Sequence, residues 1–299
     1  MESFSDLIHD AGAIAITLEA YSSEALFEPL PNTTPLWAYT TIHALFEEPI
    51  DLSALILQLK LAVFPETFHY QTEAVIDQDW QKNCRDAFQP ICFSERLWIC
   101  PSWSPLPQDE KPCLLLDPGL AFGTGAHPTT QLCLNWLASQ IQGNELVIDY
   151  GCGSGILALA ALKLGAKKVW AIDNDPQALE ATLENAHRNC ICASAFTPAD
   201  INISDALSIA LPEQLPVTHV RANVLVANIL SNPLISLAPH FAKLVSSGGK
   251  IALSGILAEQ VAQVEKAYQP WFELSAPTYQ AEWVLLIGCR RNACLTLNT

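Results

Sequence analysis

Apolar residues recur along this chain with two spacings, and each spacing marks a kind of element. Leu52, Leu55, Ile56, Leu59 and Val63 fall on one face of a helix that Asp51 can cap and that runs through Phe64. Ahead of it the pattern predicts a short helix over Ser5–Ala11, a strand over Ala13–Leu18 and, behind a proline-rich loop, a strand over Leu36–Ala44. A third strand over Thr67–Ile76 completes a small α/β unit, residues 1–75. A polar helical stretch over Asp77–Ala87 reads as part of a connector, residues 76–95. Pro90, Pro101, Pro105, Pro107 and Pro112 then punctuate the change to a second domain, residues 96–299.

From Leu114 onward strands alternate with helices. Strands are expected over Leu146–Asp149, Lys168–Ile172, Val224–Asn228, Lys250–Ser254, Phe272–Ser275 and Glu282–Ile287, with a helix over Thr129–Ala138. That alternation predicts a mostly parallel, doubly wound sheet with an antiparallel edge. Residues 200–220 read as an irregular insertion.

Chemistry concentrates first in LVIDYGCGSGILALAALKLGAKKVWAIDND, from Leu146 to Asp175. A β-branched run ends in Asp149, the turn Gly151-Cys152-Gly153-Ser154-Gly155 follows, and the strand after the next helix ends in Asp173. Glycines permit a sharp turn and close backbone approach to a ligand. An acid at the tip of the second strand can accept both hydroxyls of a ribose. The stretch therefore points to a nucleoside-containing cofactor. Where a dinucleotide fingerprint would place its third small residue, position 156 is Ile. Asp149 adds a negative charge where a pyrophosphate would be repelled. A cationic adenosyl cofactor, S-adenosylmethionine, suits these features better. A nucleotide oxidoreductase and a glycine turn that merely packs the sheet remain as alternatives.

Composition narrows the partners. Half of the 299 residues are hydrophobic and 15% are charged, so a packed core is expected rather than disorder. The formal net charge of −16 argues against direct binding to nucleic acid, where lysine and arginine must replace counterions. An acidic surface favours a basic partner, although solubility alone would also account for it. The ten cysteines form no C-x-x-C pair, so neither a zinc site nor a disulfide framework is expected and a reducing cytoplasm is. No signal peptide and no membrane span are expected either.

Two further segments carry candidate groups. DPGLAFGTGAHPTT, Asp117–Thr130, crowds glycines, a proline, hydroxyls and an imidazole into a constrained loop leading into a helix. Thr129 and Thr130 open that helix, where free N–H groups can bind a carboxylate or the threonines can cap. His127 suits a structural hydrogen bond or a proton transfer. Downstream, Asn228 in Asn228-Ile-Leu-Ser-Asn-Pro lies at the carboxyl end of a parallel strand, where such sheets bind ligands. Its amide could accept a hydrogen bond from an amine nucleophile, or cap the next helix.

These pieces together resemble the ribosomal protein L11 methyltransferase (PrmA) family. The stretches DPGLAFGTGAHPTT, VIDYGCGSGILALAALKLGA, AIDNDPQAL, VANIL and LSGIL match it, as do SERLWICPSW and AGAIAITLE, and they occur in the family's order. The resemblance implies a small ferredoxin-like domain that captures the substrate protein, a linker, and a Rossmann-like class I methyltransferase domain. It implies cofactor contacts at Thr130, Gly151, Gly153, Asp173 and Asn228, with Phe122, Gly123 and Thr124 in the loop. It also implies methylation of lysine side chains and the N-terminal amine of one basic ribosomal protein by a cytoplasmic monomer. The family's first domain opens with a strand where this sequence opens with a helix, so the domain expected here lacks that strand.

Methyl transfer from a sulfonium needs little acid–base machinery. Asn228 is expected to position the amine, with Phe122–His127 covering the methyl group and no dedicated base. An amine methyltransferase acting on another protein or a small molecule, and a non-catalytic module keeping the cofactor fold, remain as alternatives.

Overall fold

The structure, a computed structural model, describes residues 2–21, 33, 35–47, 50–63, 68–75, 88–117, 125–195, 206–215 and 220–292. The expected connector helix over 77–87 and loop residues Phe122, Gly123 and Thr124 lie outside the described residues. The chain divides into two compact units, Met1–Gln78 and Asp79–Thr299.

In the first unit α1 (Glu2–Asp10) precedes β1 (Ala15–Ala20) and β2 (Thr40–Leu45), which pair antiparallel, and α2 (Leu52–Val63) follows. Ile8, Leu55 and Leu59 are buried with Ala13, and Phe4, Leu7, Ile16 and Ile42 pack on them. The helical spacing read from Leu52 to Val63 thus places Leu55 and Leu59 in this core. The described part of the expected third strand, residues 68–75, forms no strand. Instead the Phe68 ring stands edge-on to Phe4 with centroids 5.5 Å apart. Alternation supplied an apolar anchor there, but a strand also needs a backbone partner. Among the described residues the unit runs helix–strand–strand–helix on a two-stranded sheet.

The second unit opens with a small sheet that the sequence pattern did not announce. β3 (Ile91–Phe93) pairs antiparallel with β4 (Leu97–Cys100), and β4 pairs parallel with β5 (Cys113–Leu115). β3 lies in the stretch expected to be linker. Runs of three or four residues between prolines carry too little periodicity to be read as strands.

Among the described residues the main sheet has nine strands. Named in chain order, its first elements are α3 (Pro128–Gln140), β6 (Leu146–Tyr150), α4 (Ile156–Lys163), β7 (Lys168–Ile172), α5 (Pro176–Arg188), β8 (Ala193–Ala195) and β9 (Leu207–Ala210). Then come β10 (Ala222–Asn228), α6 (Ser231–Leu244), β11 (Val245–Leu257), α7 (Val261–Tyr268), β12 (Phe272–Leu274), β13 (Thr278–Gln280) and β14 (Trp283–Arg290). The spatial order is β12-β14-β11-β10-β6-β7-β9-β8, with β13 also on β14. Strands β11 through β8 pair in parallel, and β14 is antiparallel to β11, β12 and β13.

Successive strand residues enter opposite cores, as the two-residue period requires. Val147, Val169, Val224 and Val226 join α3 and α4 on one face. Ile148, Trp170, Ile172, Leu225 and Ala227 join α6 and α7 on the other. This explains why the strands read as continuous apolar runs rather than alternating ones. It also corrects the reading of residues 200–220: β9 is buried at all four positions and hydrogen-bonded between β7 and β8. A strand covered on both faces, and this short, shows no alternation to detect.

The chain leaves β6 through β7 toward one edge and returns to β10 on the other side of β6. The strand order therefore reverses between β6 and β10, and the carboxyl ends of these strands open the crevice in which such sheets bind ligands.

Candidate cofactor and substrate site

A cavity of about 200 Å³ lies at that reversal, lined by Thr130, Gly151, Cys152, Gly153, Ile156, Leu157, Asp173, Asn174, Asn228 and Ile229. Five of the expected site residues therefore converge on it: Thr130, Gly151, Gly153, Asp173 and Asn228. They come from four places in the chain: the first turn of α3, the turn after β6, and the tips of β7 and β10.

The glycine turn is held from both sides. Gly151, Gly153 and Gly155 all have positive φ, at 81°, 54° and 78°, a region costly for residues with a Cβ. A Cβ on Gly151 would collide with the Ile229 side chain, and one on Gly155 would come within 2.7 Å of Thr182 Cγ2. Packing of the protein on itself therefore requires these two glycines before any ligand is considered, a second reason that the turn sequence did not reveal. From behind, Thr182 Oγ1 donates to the Gly153 carbonyl at 3.0 Å and Asn185 Nδ2 donates to the Ser154 carbonyl at 2.9 Å. Thr182, Asn185 and the C-cap Asn189 recur at three- and four-residue spacing along α5 and its end. That periodicity of polar groups was the available sign of a buried support, and all three are buried.

Asp173 connects the two halves of the βαβ unit. Its Oδ2 accepts from Gly153 N at 2.9 Å and its Oδ1 from Asp175 N at 3.0 Å. Each carboxylate oxygen keeps further acceptor capacity, which a diol presented in the cavity could use. Asp149 sits differently from the sequence expectation. It is fully buried, its Oδ2 accepts from Ala158 N at 2.9 Å, and it does not line the cavity. Its nearer task is to hold the first turn of α4 rather than to repel a pyrophosphate directly. Burial pushes its carboxyl up to about 7; the Ala158 hydrogen bond opposes that rise and the Asp173 charge adds to it.

The upstream loop is pinned at both described ends. Asp117 accepts from Ser102 N at 2.7 Å and Ser102 Oγ at 2.8 Å. At the other end His127 is the N-cap of α3: its Nδ1 accepts from Thr129 N at 3.3 Å and lies 2.7 Å from Thr129 Oγ1. The imidazole ring stands edge-on to Trp283, centroids 5.0 Å apart. Burial lowers the His127 pKa, while the Glu282 carboxylate pulls it back up. Between its two readings the structural hydrogen bond is the one the geometry displays. Thr129 N is engaged by this cap, whereas Thr130 reaches the cavity and its Oγ1 accepts from Asn228 Nδ2 at 3.3 Å. That contact turns the amide nitrogen of Asn228 toward Thr130, leaving its oxygen as an acceptor. Cys152, Ile156, Leu157, Asn174 and Ile229 were missed; each lies within the glycine turn or one or two residues after it or after a motif residue, and adjacency was the only signal.

The residues present fit an adenosyl cofactor. Two backbone glycines and a strand-tip carboxylate share one cavity. No group of three or more His, Cys, Asp or Glu able to hold a metal occurs among the described residues.

Comparison with known proteins agrees with this geometry. The family model for ribosomal protein L11 methyltransferase (PrmA) matches residues 1–291. The ribosomal protein L11 methyltransferase of Shewanella woodyi is 48% identical over 291 residues, 97% of this chain and 95% of that protein. The Shewanella sediminis protein of the same name is 47% identical over equal shares. The crystal structure of ribosomal protein L11 methylase from Lactobacillus delbrueckii subsp. bulgaricus superposes with a TM-score of 0.56 at 33% identity, covering 69% of this chain and 100% of that one. The sheet order, the strand-tip acid, the loop-to-helix junction and these matches all agree: the chain belongs to the ribosomal protein L11 methyltransferase (PrmA) family.

Proposed function

We propose that this protein transfers methyl groups from S-adenosylmethionine to amines of ribosomal protein L11, namely lysine side chains and the N-terminal amine. The observation that carries the reading is the convergence of Gly151, Gly153, Asp173, Thr130 and Asn228 on one cavity at the strand reversal. Bound there, the cofactor supplies an electrophilic methyl group on a good leaving group.

The chain's own residues bind and orient. Asp173 accepts the ribose hydroxyls, and the backbone at Gly151 and Gly153 lies against the adenosyl end. Thr130 fixes Asn228, whose amide oxygen accepts from the substrate amine and directs its lone pair into the cavity. A free lysine, with a pKa near ~10.4, is almost wholly protonated at neutral pH. Apolar Ile156, Leu157 and Ile229 around the cavity disfavour the ammonium form. Alignment at about 3 Å then supplies a large share of the rate.

Residues 1–75 are assigned the capture of the substrate protein, and residues 76–95 the linking role. An excess of 31 acidic over 15 basic side chains suits a basic protein partner and not nucleic acid. No described helix is long and apolar enough to cross a membrane. The reading places the protein in the cytoplasm as a monomer. Mass spectrometry of purified ribosomal protein L11 after incubation with enzyme and cofactor tests it. Successive methyl increments mapped to lysines and the N-terminus are expected; an unmodified substrate would sink the assignment, and methylation of other proteins alone would redirect it.

A further inference from the structure

We propose that Cys100 and Cys113 are a redox-active pair, which a hydroperoxide converts reversibly into a disulfide stapling β4 to β5. The inference is independent of the cofactor reading. Each strand of the small sheet carries one cysteine: Cys92 on β3, Cys100 on β4 and Cys113 on β5. The register sets Cys92 and Cys113 on either side of Trp98, two residues before Cys100. These four side chains therefore share one face, while Leu97, Ile99 and Leu114 enter the core from the other. On the first face Cys113 Sγ donates to Cys100 Sγ at 2.9 Å, and both thiols are free. Sulfurs already in contact need only a small movement to reach the bonded distance of about 2 Å. The segment between them is folded back in the native state. Trp98 Nε1 donates to both Asp109 oxygens, at 3.1 and 3.0 Å, and Lys111 Nζ donates to Asp109 at 3.0 Å.

The two thiols differ in access. Cys100 is fully buried, and burial, with the Cys113 hydrogen bond next, pushes its thiol up to about 12. Cys113 is half-buried and is the thiol that meets an oxidant. Its thiolate attacks one oxygen of the hydroperoxide, so that an S–O bond forms and the O–O bond breaks. The alcohol, or water from hydrogen peroxide, leaves with the proton that Cys113 gave up. Cys100 Sγ then attacks the sulfenic sulfur. The S–O bond breaks and the departing hydroxide takes the Cys100 proton as water. In sum, two thiols and one hydroperoxide give a disulfide, an alcohol and water, and a small thiol reverses the bond by exchange. With its resolving partner in contact, the sulfenic acid closes to the disulfide instead of climbing to higher oxides.

The staple closes the loop 100–113. Ser102 and Asp117, hydrogen-bonded to each other at the start of the segment leading to α3, lie two and four residues beyond the two cysteines. Closing a loop that is already in place restricts the unfolded chain, so oxidation strengthens this frame.

Mass spectrometry of wild-type protein tests the pairing. The enzyme is treated with a slight excess of hydrogen peroxide, its remaining thiols are alkylated, and peptic fragments are read without reductant. Fragments joined through Cys100 and Cys113 are expected, and dithiothreitol should separate them. The oxidised protein should melt about 5 °C or more above the reduced one, and Cys113→Ser should show no such rise. Cys100→Ser should accumulate a sulfenic acid at Cys113 that a cyclic 1,3-dione traps, and wild-type protein should not. Cys113 recovered alkylated after peroxide, or joined to Cys92, overturns the proposal. So does a melting temperature that is unchanged or lowered by oxidation. The wild-type mapping decides the matter even if neither variant folds.

Discussion

The backbone N–H of Gly153 donates to Oδ2 of Asp173 at 2.9 Å, joining the glycine turn after β6 to the tip of β7. The carboxylate that would read the ribose is also what holds the turn against which the adenosyl group would lie. Asp173 thus holds the turn through the same carboxylate that the proposed function assigns to the ribose.

Removing this carboxylate should therefore affect both. Asp173→Ala deletes two hydrogen bonds to backbone amides, each worth about 1.5–3 kcal/mol when the acceptor is charged. The expected outcome is a folded protein with a lowered melting temperature and at least about 100-fold weaker S-adenosylmethionine binding. Calorimetry showing unchanged affinity would falsify the ribose assignment.

Gly151 should tolerate no side chain. Its φ of 81° costs a residue with a Cβ about 1–2 kcal/mol, and the Ile229 side chain occupies the space as well. Gly151→Ala should lose about 2–4 kcal/mol in urea unfolding. Adding Ile229→Ala should recover the steric part and leave the backbone part; no recovery at all would mean that the clash is not with Ile229.

Asp149 makes stability depend on pH in an unusual direction. Its folded value, up to about 7, lies above the ordinary carboxylate value, so the native state holds the extra proton between about pH 4 and about pH 7. Stability should be full below that window and fall as pH rises through it, by at most about 4 kcal/mol. Chemical denaturation at several pH values should show this fall in wild-type protein and not in Asp149→Asn. Parallel curves for the two proteins would refute it.

Asn228 and His127 should separate cleanly. Asn228→Ala is expected to keep S-adenosylmethionine binding within several-fold while turnover drops by about 100-fold or more, the signature of lost positioning. His127→Asn preserves an N-cap acceptor, so stability should change by less than about 1 kcal/mol and turnover by only a few-fold. A collapse of turnover in a fully stable His127→Asn protein would restore the proton-transfer role.

The linear pattern carried the local chemistry. The motif turn, the acid after β7, the asparagine ending β10 and the threonine opening α3 could be read because each depends on its own few neighbours. Helix α2 and the long parallel strands were legible for the same reason. Strand β9 and the sheet β3–β5 were not, since a strand of three or four residues is defined by the partner it hydrogen-bonds. Residues 68–75 show the converse: they read as a strand and form none in the structure.

The sequence by itself thus determined which residue types could bind a nucleoside cofactor, and in what order the strands and helices run. Tertiary structure alone decided which of those residues meet. It reversed the strand order between β6 and β10, bringing Thr130 and Asn228, 98 positions apart, within 3.3 Å. It buried Asp149 outside the cavity lining, and placed Ile229 over Gly151. These are matters of packing between distant segments, and no local spacing encodes the burial that shifts a carboxyl or the neighbour that excludes a Cβ.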